Sequence, residues 1–143
     1  MLRALIIEGS DFSDDRGEMK FFNTFDMKEI VRFYEISPAS MDVIRGWQGH
    51  LKEKKWFYCH TGSFVIQVVP LGNDPESEIN KSHPKRLELN ADIPLILEVG
   101  PGMATAFKSN EENSKLMVFS NFTLEESIND DHRFALGTWE TKW

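Results

Sequence analysis

The chain has 143 residues, of which 41% are hydrophobic, and its 11 Phe and 4 Trp can fill a core; this excludes disordered, collagenous and disulfide-stapled classes. The balance of 16 basic against 23 acidic residues gives a net charge of −7, which disfavours non-specific binding to nucleic acid or to membranes. A local Arg/Lys cluster can still hold an anionic ligand, because charges act mostly within about 8 Å at physiological salt.

The length suits about one domain, expected over residues 1–143. No apolar run approaches the roughly 20 residues that cross a bilayer. The opening MLRALIIEGSDFSDD runs from a short apolar stretch into acids, so no signal peptide is expected. A single cysteine fits a reducing cytoplasm, the expected location.

Taken in order, the chain reads as many short strands. Residues 3–7 (RALII) are an apolar opening strand, and 9–11 and 13–17 are turn-rich. Strands are predicted over 18–23 and 31–36, the second alternating Val31, Phe33 and Glu35 with Arg32, Tyr34 and Ile36. A loop at 38–40 precedes a short strand at 42–47. Residues 56–59 and 64–69 flank His60-Thr61-Gly62-Ser63, the best hairpin signal in the sequence. The polar segment 72–84 reads as an exposed connection. Further strands are predicted at 86–90, 94–99, 105–107 and 115–120. Residues 124–134 are the one helical stretch, with Thr123 as N-cap and Glu125 and Glu126 in its first turn. Short strands at about 8–12-residue spacing argue for an all-β sandwich or barrel.

Residues 46–62, GWQGHLKEKKWFYCHTG, carry the most information. A metal-binding double-stranded β-helix spaces its ligands as His-x-His, three or four residues, Glu, six residues, Gly. The alternation of a strand puts both histidines on one face. Here Gln48-Gly49-His50 occupies His-x-His, Lys55 stands at the Glu position and Gly62 at the turn glycine. The second half of that template, Pro-x-Gly-x-x-His, falls on residues 100–105 and ends in Thr105. The leading glycines are replaced by Asp42 and Pro94. The turns are kept while one of four ligands remains, and Lys55 adds a cation where a carboxylate would sit. No metal is expected there.

Four strings bear on function. Arg45-Gly46-Trp47-Gln48-Gly49-His50 is similar to an Arg-Gly-aromatic-His-x-His pattern, and Thr61-Gly62-Ser63 to Asn-Gly-Ser. Asp14-Asp15-Arg16-Gly17 matches Asp-x-Arg-Gly, and Gly102-Met103-Ala104-Thr105-Ala106-Phe107 is similar to Gly-Phe-Ala-His-Gly-Phe. By these strings the chain resembles the cupin-fold nucleotide-sugar 3,5-epimerases of the dTDP-4-dehydrorhamnose type. It resembles still more the dTDP-sugar 3,4-ketoisomerases that share their fold. The resemblance spans about residues 10–135.

The resemblance implies a double-stranded β-helix (jelly roll, cupin) with a short C-terminal helix. It implies epimerisation or isomerisation of a nucleotide-linked 4-keto-6-deoxy sugar through an enolate, without metal or other cofactor. Such chemistry needs a base, a cation or donor for the enolate oxygen, and an acid on the other face. Residue by residue, His50 matches the second ketoisomerase histidine, Lys55 the epimerase lysine on the enolate and Tyr34 a ketoisomerase tyrosine. Arg16 and Arg45 match arginines near the diphosphate or the sugar. The base position holds Gln48, which takes up no proton near neutral pH. Thr105 replaces a histidine that supports the epimerase site, and Phe122 replaces the epimerase tyrosine.

From the residues themselves, Trp47 suits either the core or stacking on a sugar or base. His50 alone on a strand suits a structural role as well as a catalytic one, and Lys55 lies in the charge run Lys52-Glu53-Lys54-Lys55. Asp130 and Asp131 could place a carboxylate near the cavity, but they read more readily as decoration of the helix. The apolar tail residues Trp139 and Trp143 point to packing on the barrel or on a second subunit, so a homodimer is expected. Two functions stay open: an enzyme acting on a nucleotide sugar, and a non-catalytic cupin that binds a sugar nucleotide or carbohydrate. A purely structural dimer would leave the cationic cluster unexplained.

Overall fold

Strand β1 (Ala4–Glu8) pairs antiparallel with β9 (Leu95–Val99), and the chain then enters a ribbon made of β2 (Ser10–Asp14) and β3 (Gly17–Phe21). The remaining strands are β4 (Arg32–Ile36), β5 (Arg45–His50), β6 (Lys55–Thr61), β7 (Ser63–Pro70), β8 (Lys85–Asn90), β10 (Met103–Ser109), β11 (Lys115–Ser120) and β12 (His132–Arg133). One helix, α1 (Leu124–Ile128), lies between β11 and β12. The computed structural model describes residues 4–71 and 83–143, so the connection predicted over 72–84 falls mostly outside the described residues.

Two five-stranded antiparallel sheets result, ordered β1-β9-β6-β11-β4 and β12-β5-β10-β7-β8. Their facing side chains interdigitate: Phe57, Leu97, Leu116 and Val118 from the first meet Phe64, Ile66, Val68 and Phe107 from the second. This is the jelly roll, or double-stranded β-helix, that the sequence predicted.

The differences from the predicted elements have local causes. Segment 56–69 is not a ladder hairpin, because β6 pairs with β9 and β11 while β7 pairs with β8 and β10. Gly62, at φ 73°, turns the chain from one sheet to the other. The turn-rich stretch at 13–17 hides a strand: β2 is exposed along its whole length, so it carries no apolar alternation to read. Its two-residue turn, Asp15-Arg16, ends on Gly17 at φ 129°. The helix stops at Ile128 instead of running to 134. Thr123 caps it as expected and forms a full capping box with Glu126. Asp130 is then drawn away by backbone N–H groups of another segment, and His132–Arg133 joins β5 as an edge strand.

A second apolar cluster covers the outer face of the β5-β10-β7 region. Val69, Ala104, Ala106 and Trp47 alternate outward there and are roofed by Phe134 and Trp139 of the C-terminal segment. The Trp139 ring sits 4.8 Å from Trp47 and 5.2 Å from Phe134, both edge-on. Trp47 Nε1 donates to the Leu136 carbonyl at 3.3 Å, and Gln67 Nε2 to the Lys142 carbonyl at 2.6 Å. Replacing Trp139 by Ala opens a large apolar void beneath that roof and is expected to destabilise the fold by about 3–5 kcal/mol, read as a lowered urea midpoint at unchanged m-value.

Candidate functional site

Where bulky side chains do not meet, the sheets leave a cavity of ≈ 210 Å³. Its wall on the second sheet is a cross-strand row, because Arg133, Gln48 and Thr105 are register partners on β12, β5 and β10. Its wall on the first sheet carries Tyr34 and Ile36 of β4 and Lys55 and Phe57 of β6.

Arg45 would not reach this wall by simple alternation, since it lies three residues from Gln48. A β-bulge corrects the parity: Thr105 pairs with Gln48 and Phe107 with Arg45, so three steps on β5 face two on β10. The extra residue is accommodated at Gly46, whose φ is 139°. A Cβ there would lie 2.5 Å from the Ala106 Cβ, so only glycine lets the strands approach. Arg45 thereby joins Lys55 and Arg133 in a cavity with three cationic side chains on its lining.

Polar contacts fix the wall. Lys55 Nζ donates to Gln48 Oε1 at 3.2 Å, and Gln48 Nε2 donates to Asp131 Oδ1 at 3.1 Å. The Arg133 guanidinium holds both oxygens of Asp131 at 3.0 Å. Burial pushes the Lys55 amine down to about 8, although the Glu53 carboxylate pulls the other way. Burial also pushes the Tyr34 hydroxyl up, so it keeps its proton at neutral pH.

His50 projects to the same face as Gln48, one alternation further along β5. It lies deeper, 6% exposed, and is not among the side chains on the cavity surface. Its Nδ1 is 2.7 Å from the Asp130 carbonyl, which can only accept, so the proton sits on Nδ1. Nε2 keeps a buried lone pair with no partner. Burial lowers the pKa of the ring, and the Lys55 charge lowers it further, so the imidazole is neutral at pH 7.

Of the residues singled out from sequence, Tyr34, Arg45, Gln48, Lys55 and Thr105 converge on this cavity, with His50 behind it. Two lie elsewhere. Arg16 sits in the exposed β2–β3 turn, paired with Asp14 at 2.6 Å. Trp47 is buried in the outer cluster against Trp139, on the opposite face of β5. Phe122 is tied into the loop before α1, where its carbonyl accepts from Arg32 Nε at 3.2 Å.

Five residues of the network were missed in the sequence or read there chiefly as something else. Glu53 is buried under Lys55 rather than solvated within its charge run, and Arg32 reaches it at 3.4 Å. Arg133 belongs to an edge strand, and Asp131 directly precedes it, in a segment that reads as helix. Asp130 is not decoration either. Its carboxylate accepts from the backbone N–H groups of Leu51 (3.0 Å), Lys52 (2.9 Å) and Glu53 (2.8 Å), a nest that no short motif announces.

No family model matches the chain, and no curated protein sequence matches it. Solved structures do match, at identities that establish the fold alone. A variant of the 3,4-ketoisomerase QdtA from Thermoanaerobacterium thermosaccharolyticum, in complex with TDP-4-keto-6-deoxyglucose, is 24% identical; the match covers 94% of this chain and 89% of that one at a TM-score of 0.72. A 3,4-ketoisomerase from Helicobacter canadensis is 22% identical over 94% of this chain and 92% of its own, at 0.72. A dTDP-4-dehydrorhamnose 3,5-epimerase from Elizabethkingia anophelis is 21% identical over 99% and 82%, at 0.77. The chain has the fold that these enzymes share.

Burial raises the Asp130 carboxyl, but the three N–H donors outweigh it and hold the group below its ordinary value. Its contribution to stability is therefore full above about pH 4 and is lost as pH falls through the lowered value. Asp130→Ala is expected to cost about 3 kcal/mol at pH 7. That difference should shrink as urea titrations of variant and wild type are compared at successively lower pH below about 4.

Proposed function

We propose that the chain isomerises or epimerises a 4-keto sugar carried on a nucleoside diphosphate, through an enolate formed in the cavity between the sheets. The observation that carries this reading is Lys55: an amine on the cavity wall, poised near pH 8, among arginines that suit an anionic substrate. That solved structures of the same fold act on dTDP-linked keto sugars supports the choice of substrate class.

In this reading Arg45 and Arg133 take the diphosphate, as paired guanidinium donors do. The Lys55 ammonium donates to the ketone oxygen. The proton of the adjacent carbon passes by way of one water to the lone pair of His50 Nε2, which lies behind the cavity surface, and the C–H electron pair moves into the new double bond while charge builds on the oxygen beside Lys55. Tyr34, on the opposite sheet, holds a proton that it can return to carbon from the other side. Gln48 orients Lys55 through its carbonyl oxygen.

A second reading is a non-catalytic module that binds the same ligand. It is favoured by Gln48, whose amide is engaged at both ends by Lys55 and Asp131 and offers no base where the family has one. Loss of a positioned base typically costs about 10²–10⁴ in rate.

Both readings expect thermal stabilisation by dTDP, about 2.7 kcal/mol at 100 times Kd, and absence of any shift with dTDP, UDP or GDP sugars overturns both. They part on solvent exchange. With dTDP-4-keto-6-deoxyglucose in D₂O, the enzyme is expected to place deuterium on the carbon beside the ketone, detected by NMR or mass spectrometry. A thermal shift without exchange leaves the binding module. Because the ammonium form of Lys55 is the working one, exchange is expected to fall as pH rises through about 8. Lys55→Met is expected to lower it about 10²-fold or more at pH 7.

A further inference from the structure

We infer that Glu53 is the positioning residue of this cavity: a single buried carboxylate, beside the Nδ1–H of His50, that keeps Lys55 cationic. Its side chain has no exposed surface and does not line the cavity, so it acts only through its neighbours.

The geometry is a convergence of five elements. Lys55, Ser120 and Arg32 are register partners across β6, β11 and β4, forming one row that points at the carboxylate. Ser120 Oγ donates to Glu53 Oε2 at 2.6 Å, and Ser127 Oγ of α1 donates to Oε1 at 2.6 Å. Arg32 Nη2 approaches Oε2 at 3.4 Å, and Lys55 Nζ lies 4.0 Å from it. From β5, His50 Nδ1 is 3.4 Å from Oε1. Two short hydroxyl bonds with no alternative acceptor of equal charge fix the carboxylate in place. A buried anion of this kind is costly unless it serves cations beside it.

The consequence follows from charge. Lys55 faces two anions, Glu53 and Asp131, two cations, Arg32 and Arg133, and the neutral ring of His50. Without Glu53, a buried amine would lie among guanidinium groups and shed its proton. The same carboxylate stands beside the His50 Nδ1–H, whose bond to the Asp130 carbonyl keeps the lone pair on Nε2. What this charge arrangement is for rests on the proposed isomerase function, but its existence is testable without any substrate.

The test is the titration of the Lys55 ammonium, followed by ¹⁵N-detected NMR of the lysine side chains in the full chain, with Lys55→Arg for assignment. Wild type is expected to titrate near 8. In Glu53→Gln, of nearly equal shape, the midpoint is expected to move down by about one pH unit or more. A merely structural role predicts the reverse, since loosened packing admits water and returns the amine toward about 10.4. An unchanged or raised midpoint in a folded Glu53→Gln protein overturns the inference. If that variant does not fold, Glu53→Asp decides, because it draws the carboxylate back from the Lys55 amine by one methylene. There the midpoint is expected to fall, and an unchanged or raised one overturns the inference. Neither result depends on whether deuterium exchange is found, so the two ideas fail separately.

Discussion

Three consecutive backbone N–H groups at residues 51–53 all point at the Asp130 carboxylate, and most of the cavity hangs on that contact. The chain at 51–54 leaves one sheet and enters the other, so its backbone groups have no ladder to satisfy them. Buried donors without partners cost roughly 1–3 kcal/mol each. The carboxylate removes that cost with one side chain. In doing so it sets where β5 ends and β6 begins, and hence the relative placement of His50, Glu53 and Lys55. The carbonyl of the same residue accepts a hydrogen bond from His50 Nδ1–H, which ties the imidazole to the corner it flanks.

Charge distribution then explains how an acidic protein can offer a cationic interior. The net charge of −7 is spread over the surface, while Lys55 is buried in the cavity wall and the exposed Arg45 and Arg133 stand at its edge. The anions that partner them are held back, Asp131 by Arg133 and Gln48, Glu53 by two serines. An anion entering the cavity meets the cations first. Its aromatic and aliphatic lining, Tyr34, Ile36, Phe57 and Phe107, excludes water and strengthens those interactions.

The barrel class and most strands were legible because their faces alternate in period two, as in 31–36 and 86–90, or because they form short apolar runs, as in 64–69. Lys55 and Gly62 were legible from spacing, since a turn glycine and a wall residue keep their separation along a strand. Other features were invisible for physical reasons. The corner at Gly62 looks like a hairpin because both need positive φ, and only the register of β6 and β7 tells them apart. Strand β2 is solvated on both faces, so no pattern marks it. Glu53 sits among three lysines, a composition that solvated loops share, and its burial depends on hydroxyls 67 and 74 residues away. Arg133 follows a capped helix whose end is decided by tertiary contacts, not by a breaker in the sequence.

The C-terminal segment supplies the roof over Trp47, the edge strand with Arg133, and Asp130 itself. The contacts of Asp130 close loops of 77 to 79 residues, late events with a large entropic toll. During synthesis, then, the earlier strands emerge from the ribosome with the 51–53 corner still unclamped and one of the three lining cations missing. The lining of the cavity is thus complete only once β12 has docked beside β5, after both sheets have the rest of their strands.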